Sequence, residues 1–300
     1  MSDYAVIVSA RMASSRLPEK TLAVYCPDGT PNLEQIILRW LNHSRRSPSI
    51  IVSVNEAETP AITQICSRHG VPVHYRPGDV LECMVEAIDR FAPDAQFIAR
   101  ALGDNPLVDV GLADWRLDVL AETGADGLWY GGGESRLTYA ATTDVWSRAA
   151  WDRIATESSG SQREHPGAYY WDNLSRFNVV PLPLPMREYL APVRTELDTA
   201  QDLEMFRRLW RVCDGAQTTI PTLDALDILI ANPEIAALNA DVPVKTQSRA
   251  IWKKGMHWLC DRCNGRMGGI VEGNLEVRCA HCGKPRKWYT QKPKPSMMRY

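Results

Sequence analysis

The stretch that decides the fold reads AVIVSA at residues 5–10 and passes directly into RMASSRLPEK at residues 11–20. Five of the first six residues are apolar, with β-branched side chains at their centre. This composition predicts a short strand that is buried on both faces, as in a parallel sheet. The next ten residues hold three cations and two hydroxyl groups. We therefore predict an anion-binding loop at the end of a buried strand.

Strand-like and helix-like segments alternate beyond this loop. We predict strands at 50–54, 71–75 and 96–102, and helices at 33–41, 59–69 and 80–91. The last strand ends in a Gly-Asp-Asn-Pro turn at residues 103–106. Such alternation is typical of βαβ units, so we predict an α/β fold with a mostly parallel sheet. Ligands of these sheets bind beyond the carboxyl ends of the strands, where both the cationic loop and this turn would lie.

The pattern is weaker in the second half of the chain. We expect a strand followed by a helix at 143–156, a helix at 163–173, an extended linker at 181–185, and helices at 200–212, 223–231 and 234–239. The segment Asp241-Val242-Pro243 marks the expected boundary between a domain of residues 1–242 and a small domain of residues 243–300.

Four of the eight cysteines form two close pairs near the carboxyl end. They follow the pattern C-x₂-C-x₁₅-C-x₂-C at Cys260, Cys263, Cys279 and Cys282. This spacing is typical of a structural Zn²⁺ site with four thiolates, and it predicts a zinc ribbon with a hairpin at 268–277. The remaining four cysteines are isolated among apolar neighbours, which favours buried thiols.

The charge is distributed unevenly along the chain. Residues 245–300 contain 13 Lys and Arg but 3 Asp and Glu, and the remainder carries an acidic excess. Aromatic side chains are interleaved with the cations at Trp252, Trp258, Trp288 and Tyr289. This combination suits nucleic acid, through phosphate contacts and base stacking, but a solvated tail around a small ribbon core would look the same.

The overall composition predicts no membrane partner. The hydrophobic share of 45% is ordinary for a globular protein, and no apolar run reaches the roughly 18 residues of a membrane span. Because a strand-like run follows Met1-Ser2-Asp3 at once, we expect no secretory signal and a cytoplasmic location.

The loop at residues 11–20 has the groups that a triphosphate needs. Arg11 and Arg16 can bind phosphate through paired hydrogen bonds, Lys20 can act as a point charge, and serines and loop amides can bind the other oxygens. A polar surface loop would have a similar composition, so the spacing alone leaves both interpretations open.

Together with Gly-Thr-Pro-Asn-Leu at 29–33, this loop resembles the signature of the sugar-acid cytidylyltransferases, which include the CMP-Kdo and CMP-sialate synthetases. Three further resemblances follow in order, at residues 103–109, at Arg163-Glu164-His165 with Tyr169, and at residues 194–204. They cover roughly residues 4–212 and are most similar to the spore-coat polysaccharide biosynthesis branch. The resemblance implies a Rossmann-like, GT-A-like nucleotide-sugar transferase fold.

The resemblance also implies a reaction in which a sugar or sugar acid attacks the α-phosphate of CTP and pyrophosphate leaves. It assigns catalysis to Arg11, Lys20, Asp104 and Asp198, with Mg²⁺ held by the two aspartates. It assigns the nucleotide to Ala10, Arg11, Ser14, Ser15, Arg16, Lys20 and Asp104. It assigns the sugar to Arg163, Glu164, His165 and Arg194.

Two departures leave the substrates open. Relatives often have Asp-Arg where this chain has Glu82-Cys83, and many have Gly-Leu-Asp-Val-Glu where it reads Ala-Thr-Thr-Asp-Val at 141–145. Asp104 could also be a turn residue, and Asp198 a charge at a helix start. The alternative function is a glycosyltransferase that uses a nucleotide-sugar and is directed to nucleic acid by the ribbon. The oligomeric state stays open, a homodimer included.

Overall fold

The computed structural model describes residues 3–129, 143–181, 193–213 and 219–242, together with the backbone of three strands near the carboxyl end. Its first seven strands are β1 (Tyr4–Ala10), β2 (Ser49–Val54), β3 (Val73–Tyr75), β4 (Phe97–Leu102), β5 (Gly127–Trp129), β6 (Asp144–Ser147) and β7 (Val179–Pro181). They form one sheet in the order β3-β2-β1-β4-β6-β5-β7. Strands β1 to β4 are mutually parallel, and β6 runs antiparallel to β4 and β5. The predicted α/β fold with a mostly parallel sheet is therefore confirmed, and β6 is the strand that makes the sheet mixed.

Ten helices accompany these strands within the described ranges. They are α1 (Asn32–His43), α2 (Pro60–Arg68), α3 (Val80–Phe91), α4 (Val110–Thr123), α5 (Arg148–Glu157), α6 (Ser161–Glu164), α7 (Ala168–Asp172), α8 (Ala200–Val212), α9 (Thr222–Ala231) and α10 (Pro233–Ala236). In these parts of the chain, none of the helices has the length and apolar character that crossing a bilayer requires.

Strand β1 lies at the centre of the core because both of its faces are covered. Val6 and Val8 pack in one apolar cluster with Ile37 of α1, whereas Ile7 packs in a second cluster with Met84 of α3. Successive side chains of a strand point to opposite faces, so a strand covered on both sides needs an uninterrupted apolar run. This requirement accounts for the AVIV sequence, whose four side chains are fully buried.

A third apolar cluster joins the carboxyl-terminal helices to the segment that follows Lys20. The ring of Tyr25 packs against those of Phe206 and Trp210 of α8, with centroid distances of 5.3 and 4.8 Å. Burial of these large aromatic surfaces favours this contact. As a consequence, the start of α8 and the residues that precede it lie beside the cationic loop.

The short strands β5 and β7 were not predicted, and two helical segments also differ from the sequence prediction. The helix expected at 163–173 is wrong: α6 and α7 are separated by Pro166 and Gly167, because proline disfavours a helical residue before it and Gly167 has a φ of +103°. Helix α4 was not predicted at all. It is buried on most of its sides, so it lacks the one-sided apolar periodicity by which surface helices are recognised. Residue 181 ends β7, and residues 182–185 of the expected linker lie outside the described part of the chain.

Near the carboxyl end, strands β8 (Met267–Ile270), β9 (Glu276–Cys279) and β10 (Pro285–Lys287) form a separate antiparallel sheet with β9 in the middle. The pairing of β8 with β9 agrees with the predicted hairpin. Cys279 ends β9, whereas Cys260, Cys263 and Cys282 lie outside the described residues, so the zinc site and the domain boundary stay predictions.

Candidate active site

The cationic loop and the Gly-Asp-Asn-Pro turn meet at one edge of the sheet. They follow β1 and β4, which are adjacent and in register up to Ser9 and Leu102. A Cβ atom at Gly103 would overlap the carbonyl oxygen of Ser9, so only glycine permits this close approach. The amide of Asn32 also donates to the carbonyl oxygen of Gly103 at 2.7 Å. These contacts determine where Asp104 lies.

Lys20 joins the two aspartates that the sequence analysis assigned to Mg²⁺. Its Nζ atom lies 2.8 Å from Oδ2 of Asp104 and 2.7 Å from Oδ1 of Asp198. The side chain of Lys20 is only 5% exposed, and that of Asp198 only 9%. The loop is tied at this point because the hydroxyl of Thr21 donates to the carbonyl oxygen of Arg11. The structure therefore brings Lys20, Asp104 and Asp198 into one cluster.

Arg194 lies behind Asp198 and is engaged by three carboxylates. Its Nη1 atom donates to Glu196 at 2.6 Å, its Nε atom donates to Asp202 at 2.8 Å, and its Nη2 atom lies 3.6 Å from Asp198. Arg16 bonds to Asp198 from the loop side. The guanidinium of Arg194 thus bonds to Glu196 and Asp202 and lies close to Asp198, and its predicted role in binding the sugar stays a prediction.

The pKa values in this cluster follow from burial and charge. Burial, reinforced by the charges of Asp104 and Asp198, raises the pKa of Glu196 despite the opposing charge of Arg194. Burial alone would raise the pKa of Asp202, but bonds from Arg194 and Asn239 lower it overall. The carboxylate of Asp202 also accepts from the backbone N–H groups of residues 198 and 199 and forms a capping box with Thr199. The turn that carries Asp198 is therefore held rigidly at the start of α8.

An open cleft of about 500 Å³ borders this cluster. It has the volume expected for a small-molecule site. Its lining consists of Arg11, Ala13, Ser14, Ser15, Arg16 and Asp198. Three other residues predicted to bind nucleotide are not part of this lining: Lys20 and Asp104 belong to the cluster beside it, and Ala10 is the buried last residue of β1. The two arginines and two serines that were predicted to bind phosphate therefore face the same space as Asp198.

One residue of this region was missed by the sequence analysis. The backbone N–H groups of Met12 and Ala13 donate to the carboxylate of Glu56, at 2.7 and 3.0 Å. Glu56 follows β2, the strand next to β1. Its only signal in the sequence is this position after a strand, which does not distinguish it from other loop glutamates.

The segment predicted to bind the sugar lies at the start of α3. Arg163 donates to the carboxylate of Asp79, which also caps α3 by accepting from the N–H of Glu82. Glu164 and His165 are exposed at the end of α6. Arg163 is therefore held by Asp79 and does not belong to the Lys20 cluster.

The turn after His165 is held from inside the molecule. Arg100 of β4 donates to the carbonyl oxygen of Pro166 and lies 3.5 Å from Asp144. Burial raises the pKa of Asp144, although the charges of Arg100 and Arg116 oppose this. Gly167 has a φ of +103°, which favours glycine, and a Cβ atom there would lie only 3.0 Å from the ring of Trp146. The exposed end of α6 thus rests on a rigid base.

Comparison with known proteins matches this chain to a family model for cytidylyltransferases over residues 5–211. The chain belongs to the cytidylyltransferase family. As a cytidylyltransferase homologue it is a nucleotidyltransferase, and none of the comparisons favours the glycosyltransferase alternative. The match ends inside α8 and so includes Lys20, Asp104 and Asp198.

Individual relatives agree with this family. The spore coat polysaccharide biosynthesis protein SpsF of Bacillus subtilis is 26% identical over 251 residues, which are 79% of this chain and 98% of SpsF. A cytidylyltransferase structure from Leptospira borgpetersenii superposes with a TM-score of 0.68 at 20% identity, covering 81% of this chain and 99% of that one. The structure of CMP:2-keto-3-deoxy-manno-octonic acid synthetase complexed with CTP gives a TM-score of 0.51 at 14% identity, covering 70% of this chain and 98% of that one. The two structures establish the fold of this cytidylyltransferase.

Proposed function

We propose that this cytidylyltransferase couples CTP to a sugar or sugar acid and releases pyrophosphate, with the reaction at the cleft beside Lys20. The convergence of Asp104 and Asp198 on one buried ammonium group, next to a cleft lined by arginines and serines, carries this proposal. CTP is the proposed nucleotide because the family model that matches residues 5–211 is that of cytidylyltransferases.

The loop supplies the groups for the triphosphate. Arg11 and Arg16 bind phosphate oxygens, and the hydroxyls of Ser14 and Ser15 with the nearby loop amides bind the others. Lys20 adds a third positive charge at the bottom of the loop. Because charge accumulates on the phosphates as pyrophosphate departs, these fixed cations stabilise the transition state more than the ground state.

The two aspartates fit a divalent cation. Their oxygens already converge on a single positive atom, the Nζ of Lys20, at 2.8 and 2.7 Å. Mg²⁺ prefers oxygen ligands and is bound by one or two carboxylates together with substrate phosphates and water. Within the described ranges no group of three or more His, Cys, Asp and Glu side chains could hold a metal ion. Mg²⁺ held by Asp104 and Asp198 would neutralise phosphate charge.

Arg194 and Asp202 keep this arrangement in place. They fix the backbone and carboxylate of Asp198, while Gly103 fixes Asp104 through its contact with β1. Lys20 balances the two negative charges until the cation and the nucleotide bind. In-line displacement at the α-phosphate needs this kind of positioning more than it needs covalent chemistry from the protein.

The sugar, which accepts the nucleotide, binds at the exposed end of α6. Glu164 and His165 project from a turn whose base is fixed by Arg100 and Gly167, and Arg163 is oriented by Asp79. We assign Glu164 and His165 to the sugar and Arg163 to the positioning of this segment.

The carboxyl-terminal segment forms a second, structural unit in this proposal. Its four cysteines have zinc-ribbon spacing. Two antiparallel strands, β8 and β9, lie between the second and third of them, with Cys279 at the end of β9, and β10 follows the fourth. A four-thiolate Zn²⁺ site leaves no open coordination position, so we assign it to folding rather than catalysis. The basic excess of residues 245–300 makes nucleic acid the first partner to test.

The test of the function is pyrophosphate release from each of the four nucleoside triphosphates in the presence of Mg²⁺ and a panel of sugars and sugar acids. We expect release with CTP and one class of acceptor, and none after Asp198→Asn. Asp152→Asn, which changes an exposed aspartate of α5, is the matched control. Absence of release with every nucleotide and acceptor would refute the proposed reaction.

A further inference from the structure

The carboxylate of Glu56 binds the backbone of the cationic loop with both of its oxygens. Oε2 accepts from the N–H of Met12 at 2.7 Å, and Oε1 accepts from the N–H of Ala13 at 3.0 Å. Strands β1 and β2 are in register up to Ala10 and Val54, so the residues that follow them are neighbours at one edge of the sheet. Glu56 is thereby placed against the first turn of the loop.

This carboxylate lies outside the cleft wall. The wall contains Ala13 and the side chains around it, but Glu56 is not part of it. The side chain of Met12 packs against the core on the α1 side of the sheet. The backbone at residues 12 and 13 is therefore held by the core contact and by Glu56, and neither restraint fills the space between Arg11 and Arg16.

A negative charge at this position is unexpected on electrostatic grounds. A carboxylate near a triphosphate site repels the ligand, and this repulsion is weakened by solvent and by salt. Hydrogen bonds to a charged acceptor are stronger than neutral ones, and two of them restrain two consecutive residues. Restraint of a binding loop before the ligand arrives removes part of the ordering cost of binding.

We propose that Glu56 is a positioning residue that pre-forms the nucleotide loop for the triphosphate. This inference rests on the proposed function, because it takes the cleft to be the nucleotide site. By holding residues 12 and 13, Glu56 sets the direction in which the loop continues to Ser14, Ser15 and Arg16. The benefit of loop order exceeds the repulsion that its charge exerts on the nucleotide.

Amide hydrogen exchange and CTP binding test this role together in the whole 300-residue chain. The variants are Glu56→Ala, which removes both acceptors, and Glu56→Gln, which keeps one acceptor oxygen. Glu58→Ala is the matched control, because Glu58 is an exposed glutamate of the same loop whose nearest bond, from Thr63, is 3.5 Å long. Thermal unfolding of each variant checks that the fold is retained.

We expect the amides of Met12 and Ala13 to be protected in the nucleotide-free wild type and to lose protection in Glu56→Ala. We expect the Kd and KM for CTP to rise roughly tenfold or more in Glu56→Ala, since one lost charge-assisted hydrogen bond corresponds to about that factor. Turnover at saturating CTP should change less than about twofold, because the loop acts on binding and not on the chemical step. Glu56→Gln should lie between wild type and Glu56→Ala, and Glu58→Ala should match wild type.

Three outcomes would overturn the inference. Unprotected amides in the wild type would show that the hydrogen bonds from Met12 and Ala13 to Glu56 are absent. Unchanged CTP binding in Glu56→Ala, with normal binding by wild type, would reject the role of Glu56 and leave the proposed function intact. Tighter CTP binding in that variant would show that repulsion dominates. If wild type binds no nucleoside triphosphate, the proposed function fails, and amide protection still reports whether Glu56 holds the backbone of residues 12 and 13.

Discussion

Lys20 and Asp198 form a buried ion pair with an N–O distance of 2.7 Å, although 178 residues separate them in the chain. The same ammonium group lies 2.8 Å from Asp104. Two carboxylates that share one cation repel each other if the cation is removed. Lys20 therefore links the stability of this edge of the sheet to the geometry proposed for catalysis.

The first prediction concerns Lys20→Met, which removes the ammonium group but keeps an apolar stem. We expect the free energy of unfolding to fall by about 3–5 kcal/mol, the range for removal of one partner of a buried pair. We expect kcat/KM to fall at least about a hundredfold, since one charged contact in the transition state contributes several kcal/mol. Urea unfolding and pyrophosphate release are the measurements.

Arg45→Met is the control for Lys20→Met. Arg45 pairs with Asp118 at the surface and is half exposed. Surface pairs contribute about 0–1 kcal/mol, so this variant should retain both stability and activity. Equal losses in both variants would contradict a special role for Lys20.

The second prediction separates two roles of Arg194. If Arg194 positions Asp198, Arg194→Lys should raise the Mg²⁺ concentration needed for activity and lower the free energy of unfolding by about 1–3 kcal/mol, because lysine cannot reproduce bonds to Glu196 and Asp202 together. If Arg194 instead binds the sugar directly, Arg194→Lys should raise the KM for the sugar alone. Activity measured against Mg²⁺ and against sugar, with urea unfolding, decides between these roles.

The third prediction concerns the close approach of Gly103 to Ser9. Gly103→Ala should displace Asp104, destabilise the fold by about 1–3 kcal/mol and reduce activity more than tenfold. Gly70→Ala is the matched control: Gly70 has a φ of +64°, but open space surrounds its Cα, so only about 1–2 kcal/mol of backbone strain is expected and activity should persist. Normal activity in Gly103→Ala would show that the turn tolerates displacement.

The fourth prediction is a pH dependence at Asp79. Burial would raise the pKa of this carboxyl, but bonds from Arg163 and the Glu82 amide outweigh it and lower the pKa. Because the folded pKa lies below the unfolded value of about 3.9, the contribution to stability is present above that pH and is lost as the pH falls through the folded pKa. Asp79→Asn keeps the helix cap and loses the charge.

Unfolding of wild type and Asp79→Asn, compared from pH 7 downward, measures this contribution. We expect a difference of less than about 1 kcal/mol at pH 7, because the pair is partly exposed, and a smaller difference below pH 4. If the difference in unfolding free energy between the two proteins grew as the pH fell, it would contradict the ion pair of Asp79 with Arg163.

The fifth prediction is that the full-length protein binds one Zn²⁺ through Cys260, Cys263, Cys279 and Cys282. Zinc released on thiol modification should approach one ion per chain, and Cys260→Ser should reduce it strongly, because four thiolates are needed for a closed site. Cys213→Ser, which changes an isolated half-buried thiol of the first domain, should leave the zinc content unchanged. Zinc-free protein with native circular dichroism would refute the ribbon.

Some elements follow from the sequence because their signals are local. Helices α3 and α8 have the predicted bounds, and their starts are fixed because Asp79 and Thr199 accept bonds from N–H groups three residues later. Helix α4 could not be recognised in this way, because neighbours on several sides bury it and remove the contrast between its faces.

The sequence by itself determined the α/β alternation, the cationic loop after β1, and the residues that resemble a cytidylyltransferase. Periodicity, caps and motifs operate over a few residues and can be read along the chain. Only the tertiary structure decided that Arg194 is held by carboxylates and that Glu56 clamps Met12, 44 residues away. Such contacts depend on which strands lie side by side, and strand order arises from packing of the whole core rather than from any local stretch of sequence.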